Sequence, residues 1–142
     1  MIILDTNILS ELMKLQPDKS VMLWFKKHQT ISLFTTTLTQ AEILYGLEIL
    51  PAGRRKNALK QAAKSMFELD FAVRILSFDT DAAKSFATIA AKRRTIGRPI
   101  SQIDAQIAAI ARSHHAILAT RNTGDFEECN VALRSLIPGN NQ

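Results

Sequence analysis

Four acidic residues stand where apolar runs end or helical patterns begin. "MIILDTN" runs four apolar residues, Met1 to Leu4, straight into Asp5, Thr6 and Asn7; Glu42 lies in "TLTQAEILYG", Asp104 in "SQIDAQIA" and Asp125 in "ATRNTGDF". Carboxylates gathered in one place repel one another, and their proton affinities rise. A divalent cation removes that penalty, and all-oxygen ligands favour Mg²⁺ or Mn²⁺ over zinc. Mg²⁺ keeps several waters and uses few protein carboxylates together with substrate phosphate oxygens. The chemistry implied is metal-assisted hydrolysis of a phosphodiester.

Each acid also has a plain structural explanation. Thr39-x-x-Glu42 has the spacing of a capping box, and Ser101-x-x-Asp104 is a weaker version of the same device. Asp5 could be a turn former and Asp125 an ordinary loop residue. Capping and chemistry are compatible, because a helix N-terminus stabilises a carboxylate in its charged form.

The elements that must position these acids alternate. "IILD", "ISLF", "VRILSF", "AILAT" and a short "LRSLI" read as strands. Between them, "NILSELMK", "DKSVMLWFKKH", "QAEILYGLEIL", "RRKNALKQAAKSMFELD", "TDAAKSFATIAAKRR" and "QIDAQIAAIARSHH" have helical spacing, with Asp79 as an N-cap. Alternation predicts an α/β fold: one domain over 1–142, a central parallel sheet of four to five strands with helices on both faces. Ligands of such sheets bind beyond the carboxyl ends of the strands, where strand order reverses. Asp5, Glu42 (in the first turn of the helix after strand two) and Asp125 share that edge. Asp104 opens a helix that precedes a strand, which puts it on the opposite edge unless the connection before it crosses over.

The chain has 142 residues, 46% hydrophobic and 22% charged, enough for one core without staples. Cys129 stands alone and no Cys/His spacing suggests zinc. No signal-peptide pattern or membrane-length apolar run is present, so the cytoplasm is the expected compartment. The net charge of +5 suits an enzyme acting on nucleic acid.

In their order, "MIILDTNILSEL", "TLTQAEILYG", "ISQIDAQIAAIA" and "LATRNTGDF" resemble the successive motifs of PIN-domain ribonucleases, and more narrowly the VapC-type toxins of bacterial toxin–antitoxin pairs, including the FitB-like subgroup. The resemblance implies a single PIN-like domain with the first strand central and Asp104 brought to the other acids. It implies Asp5 as principal metal ligand, Glu42 binding directly or through water, and Asp104 completing the set. Thr6 and Asn7 would support Asp5 by hydrogen bonding. The segment Thr120–Asn122 often supplies a fourth group; Asn122 stands where many relatives have aspartate, and Asp125 lies three residues on, so either fits. The implied activity is a Mg²⁺-dependent endoribonuclease, with Mn²⁺ substituting, that hydrolyses a structured tRNA, rRNA or mRNA by a metal-activated water. The implied partners are a VapB-like antitoxin and a second copy of the chain.

"AKRRTIGRP" clusters Lys92, Arg93, Arg94 and Arg98 ahead of Asp104 and is the candidate for RNA phosphate contacts. Lys56, Lys60 and Lys64, after Arg54 and Arg55, form a helical stripe better read as a solvated face. The apolar helices "NILSELMK" and "SVMLWF" would offer the antitoxin a groove. Two rivals stand against this reading. A phosphatase of the haloacid dehalogenase kind needs a second aspartate where this chain has Asn7. A catalytically inactive PIN domain would serve as a binding or regulatory module.

Overall fold

The computed structural model describes residues 1–28 and 32–136. The chain runs β1 (Ile2–Leu4), α1 (Thr6–Leu12), α2 (Lys19–Lys27), β2 (Leu33–Thr36), α3 (Thr37–Glu48), α4 (Arg54–Ser65), β3 (Ile75–Leu76), α5 (Thr80–Thr95), α6 (Gln102–Ser113), β4 (Ile117–Thr120) and β5 (Ala132–Ser135). α4 continues into a π-helical stretch, Met66–Asp70, and a 3₁₀ turn spans Thr123–Phe126.

All five strands are parallel, in the order β3-β2-β1-β4-β5. β1 is central because it is apolar throughout: Ile2 and Leu4 belong to one core and Ile3 to the other. Strand residues alternate faces, so a strand buried on both sides must be hydrophobic at every position. Ile8 and Leu9 of α1, Val21 of α2, Ile43 and Leu47 of α3 and Ala63 of α4 cover the first face. Ala82 and Ile89 of α5 and the run Ile107–Ala111 of α6 cover the second. Ile3 is fully buried, and truncating it to alanine costs about 2–5 kcal/mol.

The strands differ in extent from the sequence reading. β2 starts two residues later than "ISLF", whose Ile31 lies outside the described residues. β3 keeps only two residues of "VRILSF", being an edge strand paired on one side. β5 ends at Ser135, and Ile137 of "LRSLI" lies outside the described residues. Asp79 caps α5 as expected, its Oδ1 accepting from the Ala82 amide at 2.9 Å.

The edge that the residue pattern leaves open for Asp104 is the carboxyl one. α6 feeds β4 through a tight turn in which the Ala116 amide donates to Ala111 and the Ile117 amide donates to Met1. A helix that returns the chain to the start of a parallel strand must run against the strands. Its N-terminus therefore lies at their carboxyl ends, and α5, packed along α6, carries the chain there first. Among the described residues no helix is long and apolar enough to cross a membrane.

Candidate active site

β1 pairs with β2 on one side and β4 on the other, so chain connections diverge at its carboxyl end. Asp5 follows directly and is only 4% exposed. Its Oδ1 accepts from the Ile8 amide at 3.1 Å, capping α1, and its own amide donates to Ala119 at 3.3 Å. Asp5 is thus an N-cap and a buried acid at once. Burial pushes it up to about 6; hydrogen bonds from Thr120 and Ile8 pull the other way, and the charges of Asp104 and Glu42 add to the rise.

Glu42 reaches the site from the second turn of α3, not the first. Thr36 is the N-cap, its hydroxyl accepting from the Thr39 amide at 3.1 Å, so Thr39 and Glu42 form no capping box. The buried Thr39 side chain turns instead to α1. The Thr6 hydroxyl lies 3.1 Å from Thr39 Oγ1 and 2.5 Å from Glu42 Oε1. A hydroxyl has one proton, so Thr6 donates to the carboxylate and Thr39 donates to Thr6. The expectation that Thr6 and Asn7 support Asp5 is corrected: Thr6 serves Glu42, Asn7 is exposed on α1, and Thr120 serves Asp5.

Asp104 does use its cap. Ser101 caps α6, its Oγ accepting from the Asp104 amide at 3.2 Å. Burial raises the Asp104 carboxyl above the ordinary range; the Ser101 hydroxyl opposes this, Asp125 reinforces it and Arg93 opposes it. Asp125, exposed in the 3₁₀ turn, is therefore the loop acid whose charge bears on Asp104. Asn122 is also exposed, and its amide donates to Thr120 Oγ1 at 3.0 Å. The Thr120 hydroxyl passes that bond on to Asp5.

Among the described residues no three acidic, histidine or cysteine groups converge into a ready cage. Yet Asp5, Asp104 and Glu42 form an all-oxygen set in which a buried acid is flanked by two others. A cation that keeps most of its waters matches such a spread, which fits Mg²⁺ or Mn²⁺.

Two arginines that steady the site's margins were not assigned that role from sequence. Glu11 of α1, buried, accepts from Arg121 at 2.7 Å, Lys14 at 3.0 Å and the Asp18 amide at 3.0 Å. Arg121 follows Thr120, so this pair ties α1 to the loop after β4 across 110 positions; nothing local in sequence signals it. The expected RNA contact of Arg93 is corrected: it is 5% exposed and bonds to backbone carbonyls. Of its neighbours, Lys92 pairs with Glu128 and Arg98 with Glu127, both at 3.3 Å, while Arg94 is exposed.

A cleft of about 920 Å³ opens between α1, α3 and α4 beside the acids. Thr6 and Glu42 line it at one place, Met13, Leu15 and Leu59 give it apolar surface, and Arg54 and Arg55 also line it. α1 lines this cleft with Thr6, Ser10 and Met13, while α2 contributes no residue to it. Its Trp24 and Phe25 pack on the core.

Similarity to known proteins follows the same geometry. Residues 2–130 match the PIN domain. The chain is 39% identical over 131 residues to VapC ribonuclease Y4jK of Sinorhizobium fredii, covering 92% of this chain and 94% of that one. It is 36% identical over 133 residues to toxin FitB of Neisseria gonorrhoeae, covering 94% and 96%. The crystal structure of FitAcB from Neisseria gonorrhoeae superposes with a TM-score of 0.89 at 35% identity, over 96% of this chain and 98% of that one. With Asp5, Glu42 and Asp104 drawn to one edge of a parallel sheet and that match running along nearly its whole length, the chain belongs to the PIN-domain family, among its VapC- and FitB-like members.

Proposed function

We propose that this chain is a Mg²⁺-dependent endoribonuclease and the toxin of a toxin–antitoxin pair. The observation that carries the reading is Asp5, buried where the strand order diverges and electrostatically coupled to Asp104 and Glu42. Relatives named as a VapC ribonuclease and a toxin support it. A Mg²⁺ held by Asp5, Asp104 and Glu42 would supply an activated water and offset charge on the phosphate. The chain's own residues prepare that site. Thr120 and the Ile8 amide hold the Asp5 carboxylate in one orientation and favour its ionised form. Thr6 and Thr39 fix Glu42, and Ser101 fixes Asp104.

Arg54 and Arg55 line the cleft near Glu42 and make no ion pair among the described residues, which suits them to RNA phosphates. Arg94 flanks the other side, with Lys92 and Arg98 available when their surface pairs open. The apolar part of the cleft suits a segment of the antitoxin, which would close the same entrance to RNA. A homodimer is the expected assembly.

The test is cleavage of total cellular RNA by the purified, partner-free chain, with 5′ ends mapped. Discrete cuts that require Mg²⁺ or Mn²⁺ and disappear in Asp5→Asn or with chelator are the expected result. A folded chain that cuts nothing under these conditions points to a binding module instead.

A further inference from the structure

We infer that Arg93 is a positioning residue that sets the Asp104–Asp125 half of the site, an inference that rests on the ribonuclease reading. Arg93 sits in the last turns of α5. Its Nε donates to the Arg98 carbonyl at 2.6 Å, and its Nη1 donates to the carbonyls of Asp125 at 2.9 Å and Glu127 at 3.0 Å. The same Nη1 lies 3.6 Å from Cys129 Sγ. One side chain therefore joins three pieces of backbone: the end of α5, the loop that leads to the Ser101 cap and Asp104, and the turn that carries Asp125.

The two acids are distant in sequence and repel each other, so neither tends to draw the other's loop inward. The planar guanidinium presents donors along two edges at fixed angles and can bridge carbonyls that face it from different directions. A lysine at this position carries the charge but presents it at a single point. Burying a cation is costly unless its donors are satisfied. Here carbonyl oxygens take up the Nε and Nη1 donors and, among the described residues, no carboxylate forms an ion pair with Arg93, so its charge remains to act on Asp104. A group so enclosed is not presented to RNA, which separates this role from that of a phosphate contact.

Arg93→Lys and Arg93→Met in the full chain test the inference by three readouts. Amide hydrogen exchange should speed up at residues 98–101 and 123–128 and stay unchanged over α1 and α3, since loops released from a clamp open locally. In cleavage, kcat should fall on the order of 100-fold with KM within about twofold, as misplacement of a reacting group by ~1 Å does. In an Asp5→Asn background, affinity for a labelled single-stranded RNA and its salt dependence should match the parent, because no phosphate contact is removed. Arg93→Lys covers the case in which the methionine variant fails to fold. Unchanged exchange in both loops overturns the inference, and so does a loss of RNA affinity with a shallower salt dependence. A wild type that cuts no RNA overturns the ribonuclease reading, while the exchange readout still decides whether Arg93 clamps the two loops.

Discussion

The Thr6 hydroxyl stands 2.5 Å from Glu42 Oε1, joining the first residue of α1 to the second turn of α3. Thr39 completes the bridge from below. Two helices that follow different strands are thereby locked at their N-terminal ends, where the acids must meet. The position of Glu42 relative to Asp5 is set by this hydroxyl pair more than by either helix alone.

Thr6→Val keeps the shape of the side chain and removes the proton donor. Leaving the carboxylate without this partner should cost about 1–3 kcal/mol, measured by urea unfolding. Cleavage should drop on the order of tenfold or more while Thr6→Ser stays near wild type, because one misoriented group raises the barrier steeply. Equal rates for the valine and serine variants would show that Glu42 needs no such support.

Asp5 makes a prediction whose sign follows from its raised proton affinity, about 6 against the ordinary 3.8. Below pH 3.8 it is protonated folded or unfolded and imposes no penalty. Between 3.8 and about 6 the unfolded chain ionises first, so folding stability falls as pH rises. Above about 6 the full penalty applies, ~3 kcal/mol at 1.36 kcal/mol per tenfold change in proton affinity. Asparagine also caps helices. Asp5→Asn should therefore be more stable than wild type at pH 7.5 and similar to it near pH 3.5. Mg²⁺ should raise the wild-type Tm and leave that of Asp5→Asn unmoved. A variant less stable than wild type at pH 7.5 would contradict the assignment of a burial penalty to Asp5.

The sheet was legible in the sequence because its signal is local: apolar runs at a strand period, broken by helical spacing. Asp5 was legible for the same reason, as an acid at the end of a buried strand. The role of Glu42 was only half legible. Thr39 and Glu42 match a capping box in spacing, but Thr36 takes the cap three residues earlier, and Thr39 turns into the core. Spacing alone cannot tell which of four threonines in "TTTLT" starts the helix. The edge occupied by Asp104 depends on the direction of α6, which is fixed by the strand it must feed, not by residues around the acid. Arg93 was misread because a cluster of basic residues looks alike in sequence whether it faces water or folds inward onto carbonyls.

Glu11 gives the opposite pH signature from Asp5. Its partners, Lys14 first, then the Asp18 amide and Arg121, hold its carboxyl below the ordinary 4.5. A lowered value contributes stability that is present above 4.5 and is lost as pH falls below it. Glu11→Gln should cost about 1–3 kcal/mol at pH 7, as loss of a buried charge-assisted bond does, and less at pH 3, below the unfolded value. Urea unfolding at the two pH values measures both. A penalty that does not shrink in acid would mean that the carboxylate charge contributes nothing and only the packing of Glu11 matters.

The two flanks of the acids differ in charge, and that difference predicts where RNA runs. Near Asp104, Lys92 and Arg98 face Glu128 and Glu127, so the local cations are largely cancelled. Near Glu42, Arg54 and Arg55 line the cleft and pair with no acid among the described residues. Each phosphate neutralised on a single strand contributes about 0.7 to the slope of log K against log salt. In a cleavage-inactive Asp5→Asn background, Arg54→Gln with Arg55→Gln should weaken RNA binding and flatten that slope by about 1.4, twice the value for one phosphate. Lys92→Gln with Arg98→Gln should change the slope less, because those cations exchange a protein partner for an RNA one. A larger effect from the second pair would place the RNA backbone over α5 and the turn after β4, with its phosphates drawn from Glu127 and Glu128. Equal effects would mean that the strand crosses the site from one flank to the other, with the scissile phosphate over Asp5.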